Sequence, residues 1–108
     1  TGRADIKPGL RPILDQFASG LASQPQTEVR IVGHTDSTGS ADLNQRLSLQ
    51  RAEATRDYLV AHGVKAGQVA VAGHGAGEPV ADNASEAGRA RNRRVEIFLG
   101  ERSGAAAR

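Results

Sequence analysis

The sequence has 108 residues, a net charge of +2, 3% aromatic residues and no cysteine. This length suits a single domain, and the near balance of charges argues against a general affinity for polyanions. The few aromatic rings disfavour a glycan-stacking lectin and an RNA-binding domain, and the lack of cysteine excludes disulfides and thiolate zinc sites.

The amino-terminal segment predicts a helix that ends at Leu21. Its apolar residues recur at steps of three and four and therefore share one stripe, formed by Leu10, Ile13, Leu14, Phe17 and Leu21. Pro12 fits only a first helical turn, so the helix should begin close to it.

No apolar stretch approaches the roughly 20 residues that span a bilayer, and no signal-peptide core is recognisable. A chain located outside the cytoplasm would then be a mature fragment.

Three strands are predicted, at residues 27–34, 68–75 and 94–100. In the first, Val29 and Ile31 alternate with charged residues, as in a strand with one buried face. The third has Val95, Ile97 and Leu99 on one face. Between the second and third strands the chain is rich in loop residues, with a short helical turn expected at 84–89.

The longest predicted helix covers residues 41–62, which contain no glycine or proline. Gly63 suits a left-handed carboxyl-terminal cap, and Val64 can supply the apolar contact that accompanies such a cap. The order of elements predicts an α/β (α+β) sandwich, a small mixed sheet with helices on one face and at least one parallel strand pair. We assign residues 1–100 to this domain and 101–108 to a flexible tail.

A polar constellation links the turn "GHTDSTGS" (33–40) to the long helix. Asp36 lies in this turn, which can cap a helix, bind a metal or hold a positively charged group. Asn44, Ser48 and Arg51 project from one side of the helix. Because the helix begins only a few residues after Asp36, we expect Asp36 and Arg51 to face one cleft. A carboxylate and a guanidinium there suit a zwitterion such as an α-amino-acid head group. The alternative is that Asp36 pairs with Arg51 or caps the helix and binds no ligand.

Over residues 4–99 the chain resembles the OmpA-like C-terminal domain, the peptidoglycan-binding module also found in Pal lipoproteins and MotB. The resemblance rests on a G-[HY]-T-D turn in "GHTD", an LN…LS..RA helix in "LNQRLSLQRA" and a final strand in "NRRVEI". It implies a βαβαβ-type fold. We expect the first strand of that fold to be missing or shortened, since only "TGR" precedes "ADIKPGL". Its absence would leave a sheet edge open to homodimer formation.

The resemblance also implies a ligand, the meso-diaminopimelate residue of the peptidoglycan stem peptide. Asp36 would receive its ammonium group and Arg51 its carboxylate. The residues matching pocket positions of the family are Thr35, Asp36, Leu43, Asn44, Arg51 and Arg93. The expected function is non-enzymatic anchoring of an outer-membrane or other cell-envelope protein to the wall of a Gram-negative bacterium, in the periplasm, with any membrane attachment through a segment outside this chain. The alternative is a protein–protein interaction module on the same fold.

Other patterns in the sequence give weaker indications. "GHGAGEP" (73–79) lacks the phosphate-loop and dinucleotide patterns. The three histidines, His34, His62 and His74, show no metal-ligand spacing, so no metal site or cofactor is expected. No G-x-S-x-G elbow supports a hydrolase that uses Ser37, Ser40 or Ser48. The arginines at 89–94 lack interleaved aromatic residues, so nucleic-acid binding is not expected either.

Overall fold

The computed structural model describes residues 8–101. The expectations for the first strand and for the tail from residue 102 onward lie outside the described residues. Within the described range the helices and strands are α1 (Arg11–Ala22), β1 (Thr27–Gly33), α2 (Ala41–Ala61), β2 (Val69–Gly73), α3 (Glu86–Asn92) and β3 (Val95–Glu101), with short 3₁₀ turns at Pro8–Leu10 and Ala66–Gln68. None of the helices in this range combines the length and apolar character needed to cross a membrane.

The predicted order of elements is confirmed, with shifted boundaries. The expected turn at 84–89 is a seven-residue helix, α3. The Ser85 hydroxyl accepts a hydrogen bond from the Gly88 amide, and Glu86 in the first turn and Arg89 in the last complement the helix dipole. Glu101, assigned to the tail from the sequence, is the last residue of β3.

The sheet is mixed, with strand order β2-β1-β3. β1 runs parallel to β2, with Ile31 opposite Val71, and antiparallel to β3, with Ile31 opposite Ile97. The parallel pair follows from the connection through α2, since parallel strands need a long crossover. The predicted mixed sheet and its parallel pair are both present.

The core lies between one face of the sheet and helices α1 and α2. Its buried apolar residues are Leu14, Ala18, Leu21, Val29, Ile31, Ala52, Leu59 and Val64. The stripe predicted for α1 is too wide, because Leu10 and Ile13 are 41% and 50% exposed. Leu14, Ala18 and Leu21 form a narrower row, four and three residues apart, that faces the core.

The end of α2 has the predicted glycine cap. Gly63 has φ +110°, a left-handed conformation. Its amide donates to Val60 O, and the Val64 amide donates to Leu59 O, which together form a Schellman motif. Val64 is 2% exposed, so the apolar contact expected of this motif is also present.

Two glycines allow α2 to lie directly against the carboxyl ends of β1 and β2. A Cβ added to Gly33 would collide with the backbone oxygen of Ser48, and one added to Gly73 would lie 2.5 Å from the Leu49 nitrogen. Because the backbones approach so closely, the side chains of α2 reach the turn that follows β1. This packing positions the polar constellation predicted from the sequence.

Candidate binding site

A pocket of about 90 Å³ opens between the turn after β1, the first half of α2 and the segment after α3. Its lining residues are Thr35, Asp36, Thr38, Gly39, Leu43, Asn44, Leu47, Arg51 and Arg93. All six residues predicted from the sequence, namely Thr35, Asp36, Leu43, Asn44, Arg51 and Arg93, thus line one pocket. Their role as ligand-binding residues remains a prediction.

The turn after β1 holds Asp36 in a fixed position. The Asp36 side chain is 3% exposed, and its Oδ1 accepts a hydrogen bond of 2.8 Å from the Thr38 amide. One residue earlier, the Thr35 amide donates to Gly75 O at 2.9 Å, which ties the turn to the loop after β2. Ser40, not Asp36, caps α2, because its hydroxyl accepts from the Leu43 amide. The helix-cap alternative for Asp36 is therefore wrong.

Asp36 also forms an ion pair with Arg93. Arg93 Nη1 lies 2.6 Å from Asp36 Oδ2, and Nη2 of the same guanidinium lies 2.8 Å from Glu86 Oε2. Arg93 immediately follows α3, so its guanidinium, which bridges the carboxylates of Asp36 and Glu86, joins α3 to the turn after β1. From the sequence, an ion pair between Asp36 and Arg51 was the alternative to a ligand-binding role for these residues. In the structure the ion pair of Asp36 is with Arg93.

Arg51 approaches the same pocket from α2. Its Nη1 donates a hydrogen bond of 2.9 Å to the backbone oxygen of His34, the residue that follows β1. Burial and the charge of Arg93 lower the pKa of Arg51, while Asp36 raises it. Arginine remains protonated despite this shift, because its pKa stays far above neutral pH. Two guanidinium groups and one carboxylate therefore share the pocket, with a formal charge of +1.

Asp36 is ionised in this setting. Burial raises the pKa of Asp36, but hydrogen bonds from Thr38 and Arg93 outweigh burial and lower that pKa below its ordinary value of 3.8. Each carboxylate oxygen has two lone pairs and accepts one of these two hydrogen bonds. The carboxylate thus retains capacity to accept further hydrogen bonds.

Two further polar groups of the pocket have capacity for a ligand. Thr35 is 4% exposed, and its Oγ1 has no hydrogen-bond partner in the described part of the chain. The Asn44 amide lines the same pocket, and this residue is 5% exposed. Buried polar groups are nearly always hydrogen-bonded in proteins, so the Thr35 hydroxyl is available to a polar ligand or to water.

Ser48, the third polar residue of the predicted stripe on α2, has a different role. Its hydroxyl donates to Gln45 O and accepts from the Gly75 amide at 2.8 Å. These bonds attach the loop after β2 to α2, and Ser48 does not line the pocket. A stripe read from helical spacing could not separate Ser48 from its neighbours, since spacing fixes a face and not a partner.

Sequence reasoning missed three lining residues and one supporting residue. Leu47 lies one turn after Leu43 on α2, so the same spacing could have found it. Thr38 and Gly39 belong to the quoted turn, and Gly39 has φ +90°, a conformation that favours glycine. Glu86, which holds Arg93, has no local sequence signal.

The geometry defines an α+β domain with a charged pocket beside its central strand. The model of the OmpA family matches residues 1–93, so the chain belongs to the OmpA family, as the resemblance predicted. The peptidoglycan-associated lipoprotein from Burkholderia pseudomallei has a crystal structure that matches with a TM-score of 0.88 and 34% identity, covering 91% of this chain and 83% of that one. This similarity confirms the predicted fold class.

Two curated relatives are more similar in sequence. Probable lipoprotein YiaD of Escherichia coli is 44% identical over 96 residues, covering 89% of this chain and 44% of YiaD. The peptidoglycan-binding protein ArfA of Mycobacterium tuberculosis is 47% identical over 96 residues, covering 89% of this chain and 29% of ArfA. The chain therefore spans less than half the length of these relatives.

The ionised state of Asp36 predicts a pH-dependent contribution to stability. Its pKa in the folded state lies below the ordinary value of 3.8, so its contribution is present above that value and is lost as the pH falls through the folded-state pKa. We expect Asp36→Asn to lower the free energy of unfolding by about 1–3 kcal/mol near neutral pH. The difference from the wild type should shrink in acid, as urea denaturation at several pH values would measure.

The matched control is Asp57→Asn. Asp57 is an exposed residue of α2 that pairs with Arg56 away from the pocket, and exposed ion pairs contribute little to stability. The Asp57→Asn variant should therefore have nearly the same free energy of unfolding as the wild type at each of these pH values. A destabilisation by Asp36→Asn that stays the same from neutral to acidic pH would contradict the assigned charge state.

Proposed function

We propose that this domain binds peptidoglycan without catalysis and anchors a cell-envelope protein to the cell wall. The observation that carries the proposal is the pocket in which one buried carboxylate, Asp36, lies with the guanidinium groups of Arg51 and Arg93. The names of ArfA, a peptidoglycan-binding protein, and of the peptidoglycan-associated lipoprotein support the same polymer as the ligand. The lipoprotein relatives support a location in the cell envelope, which we infer to be the periplasm.

The proposed ligand group is the free amino-acid head of meso-diaminopimelate in the stem peptide. Its ammonium would donate to the lone pairs of Asp36 that Thr38 and Arg93 leave available. Its carboxylate would accept two parallel hydrogen bonds from the planar guanidinium of Arg51. The opposite charges of the head group thus have separate partners within one pocket.

The remaining lining residues would complete recognition of the head group. Thr35 Oγ1 and the Asn44 amide are buried polar groups that a ligand could hydrogen-bond. Leu43 is 48% exposed and would supply an apolar contact to the methylene chain of diaminopimelate. Arg93 would act mainly by holding Asp36, because its guanidinium already engages Asp36 and Glu86.

Such a pocket predicts modest affinity for one stem peptide. Two charge-assisted hydrogen-bonding groups contribute roughly 1.5–3 kcal/mol each before the ordering costs of binding. The dissociation constant for one stem peptide should therefore lie roughly between micromolar and millimolar. Firm attachment would come from the many stem peptides of the polymer, which hold a dissociated domain near new sites. Any membrane anchor, and any homodimer contact, would add to this avidity.

The first test compares retention by purified sacculi, which contain no protein. We expect the wild type to cosediment with sacculi and Asp36→Asn to bind at least about ten-fold more weakly, because a charged acceptor for the ammonium is lost. Asp57→Asn, with the same chemical change outside the pocket, should bind like the wild type. If protein-free sacculi retain neither the wild type nor the control, the alternative of a protein-binding module replaces this proposal.

The second test concerns the planar fork of Arg51. Arg51→Lys keeps the positive charge but removes bidentate recognition, so we expect cosedimentation at least about ten-fold weaker, equivalent to about 1.4 kcal/mol. Arg46→Lys, the same change at an exposed position of α2, is the control. Equal binding by the two variants would rule out the proposed carboxylate geometry.

A further inference from the structure

A second cluster of polar side chains lies at the carboxyl ends of the parallel strands, outside the pocket. His34 follows β1 and His74 follows β2, and the last residues of these strands, Gly33 and Gly73, are register partners. The two imidazole rings are therefore neighbours, with their centroids 5.6 Å apart and their planes at 88°. The pairing of the strands brings together two histidines that are far apart in the sequence.

His34 is a buried imidazole with an unused nitrogen. It is 0% exposed, and its Nε2 lies 2.7 Å from Oε1 of Glu96 on β3. Its Nδ1 is buried and has no hydrogen-bond partner within residues 8–101. When Nε2 carries the proton and donates it to Glu96, the lone pair of a neutral imidazole is on Nδ1. That is the arrangement in which a carboxylate orients a histidine for metal binding.

His74 and Glu78 complete the cluster and are accessible from solvent. His74 Nδ1 lies 2.8 Å from Glu78 Oε1, and the two side chains are 37% and 60% exposed. Arg94 supports the arrangement, because it donates to Glu78 O at 2.9 Å and to Glu96 Oε2 at 3.2 Å. The loop that carries Glu78 and the carboxylate that holds His34 are thus attached to one arginine.

We propose that His34, His74 and Glu78 form a binding site for a divalent transition-metal ion such as Zn²⁺. One nitrogen or oxygen atom from each of the three residues lies within 4.8 Å of the others. Ligand atoms of a tetrahedral zinc ion lie about 3.3 Å apart, and the exposed His74 and Glu78 side chains can rotate toward the ion to reach that separation. Two imidazoles and one carboxylate suit Zn²⁺, with water as a fourth ligand.

The proposed metal site is separate from the proposed peptidoglycan pocket. None of its three ligands lines the pocket. The two regions meet at His34, whose backbone oxygen accepts a hydrogen bond from Arg51 while its imidazole faces Glu96. The metal proposal therefore does not depend on the identity of the wall ligand.

The test is a titration of the tag-free 108-residue chain with Zn²⁺, in which isothermal titration calorimetry measures the affinity and the number of ions bound. We expect one ion to bind per chain. Loss of an outer-shell partner of a metal ligand already weakens metal binding about 10–100-fold. Removing a direct ligand with His74→Ala should therefore weaken binding at least about 100-fold, and Glu78→Gln, which keeps a neutral oxygen, at least about ten-fold. His62→Ala removes the remaining histidine, which lies at the end of α2 beside Tyr58, and should leave zinc binding unchanged.

Because His34 is buried and its replacement could unfold the chain, NMR of the imidazole nitrogens provides a second readout. Zinc should shift the ring nitrogens of His34 and His74 and leave those of His62 in place. Absence of saturable binding at about 1 mM Zn²⁺, or equal affinity of His74→Ala and the wild type, would overturn the proposal. His74→Ala should still cosediment with sacculi, so the metal proposal and the peptidoglycan proposal can fail independently.

Discussion

The contact between α2 and the carboxyl ends of β1 and β2 determines the geometry of the domain. Gly33 and Gly73 lack the side chains that would hold the helix away from the sheet. Ser48 reinforces this contact, since its hydroxyl links α2 to the loop after β2. The pocket is lined by α2 and the turn after β1, and the two histidines of the cluster directly follow β1 and β2, so both lie where the helix meets the strand ends.

The positions of the charged groups of Asp36, Arg51 and Arg93 then determine which kinds of ligand the pocket could accept. Removing a carboxylate from water is costly unless it gains ionic and hydrogen-bonding partners, and Asp36 has both, from Arg93 and from the turn amide of Thr38. Arg93 connects α3 to the turn after β1, while Arg51 approaches from α2. Because the turn after β1, helix α2 and the residue after α3 each fix one charge, the charges of the pocket are held in place without a ligand, which would lower the ordering cost of the proposed binding.

Local features of the sequence predicted much of this structure. Helical spacing located α2 and placed Asn44 and Arg51 on a common side, and Gly63 marked the helix end. The resemblance to the OmpA-like family added Thr35, Leu43 and Arg93, which no spacing argument had selected. The turn with Asp36 was recognised from its residue types, although its actual ionic partner was not.

Long-range contacts account for what the sequence left undetermined. Asp36 and Arg93 are 57 residues apart, and only the register of β1 with β3 and the position of α3 bring them together. His34 and His74 meet through the pairing of β1 with β2, so a search for metal-ligand spacing along the chain could not find them. Periodicity also could not show that Leu10, which lies in a 3₁₀ turn before α1, and Ile13, in the first turn of α1, are exposed, because burial depends on which elements pack against each position.

The most direct test of the proposed recognition is an NMR titration with a stem peptide that contains meso-diaminopimelate, compared with one that contains lysine at the same position. Within the peptide, the side chain of lysine offers only an ammonium group, whereas diaminopimelate keeps one free amino-acid head group. We expect saturable amide shifts centred on Thr35, Asp36, Asn44 and Arg51 with the diaminopimelate peptide and much weaker shifts with the lysine peptide. No shifts at these residues with the diaminopimelate peptide, or equal shifts with both peptides, would contradict recognition of the head group by this pocket.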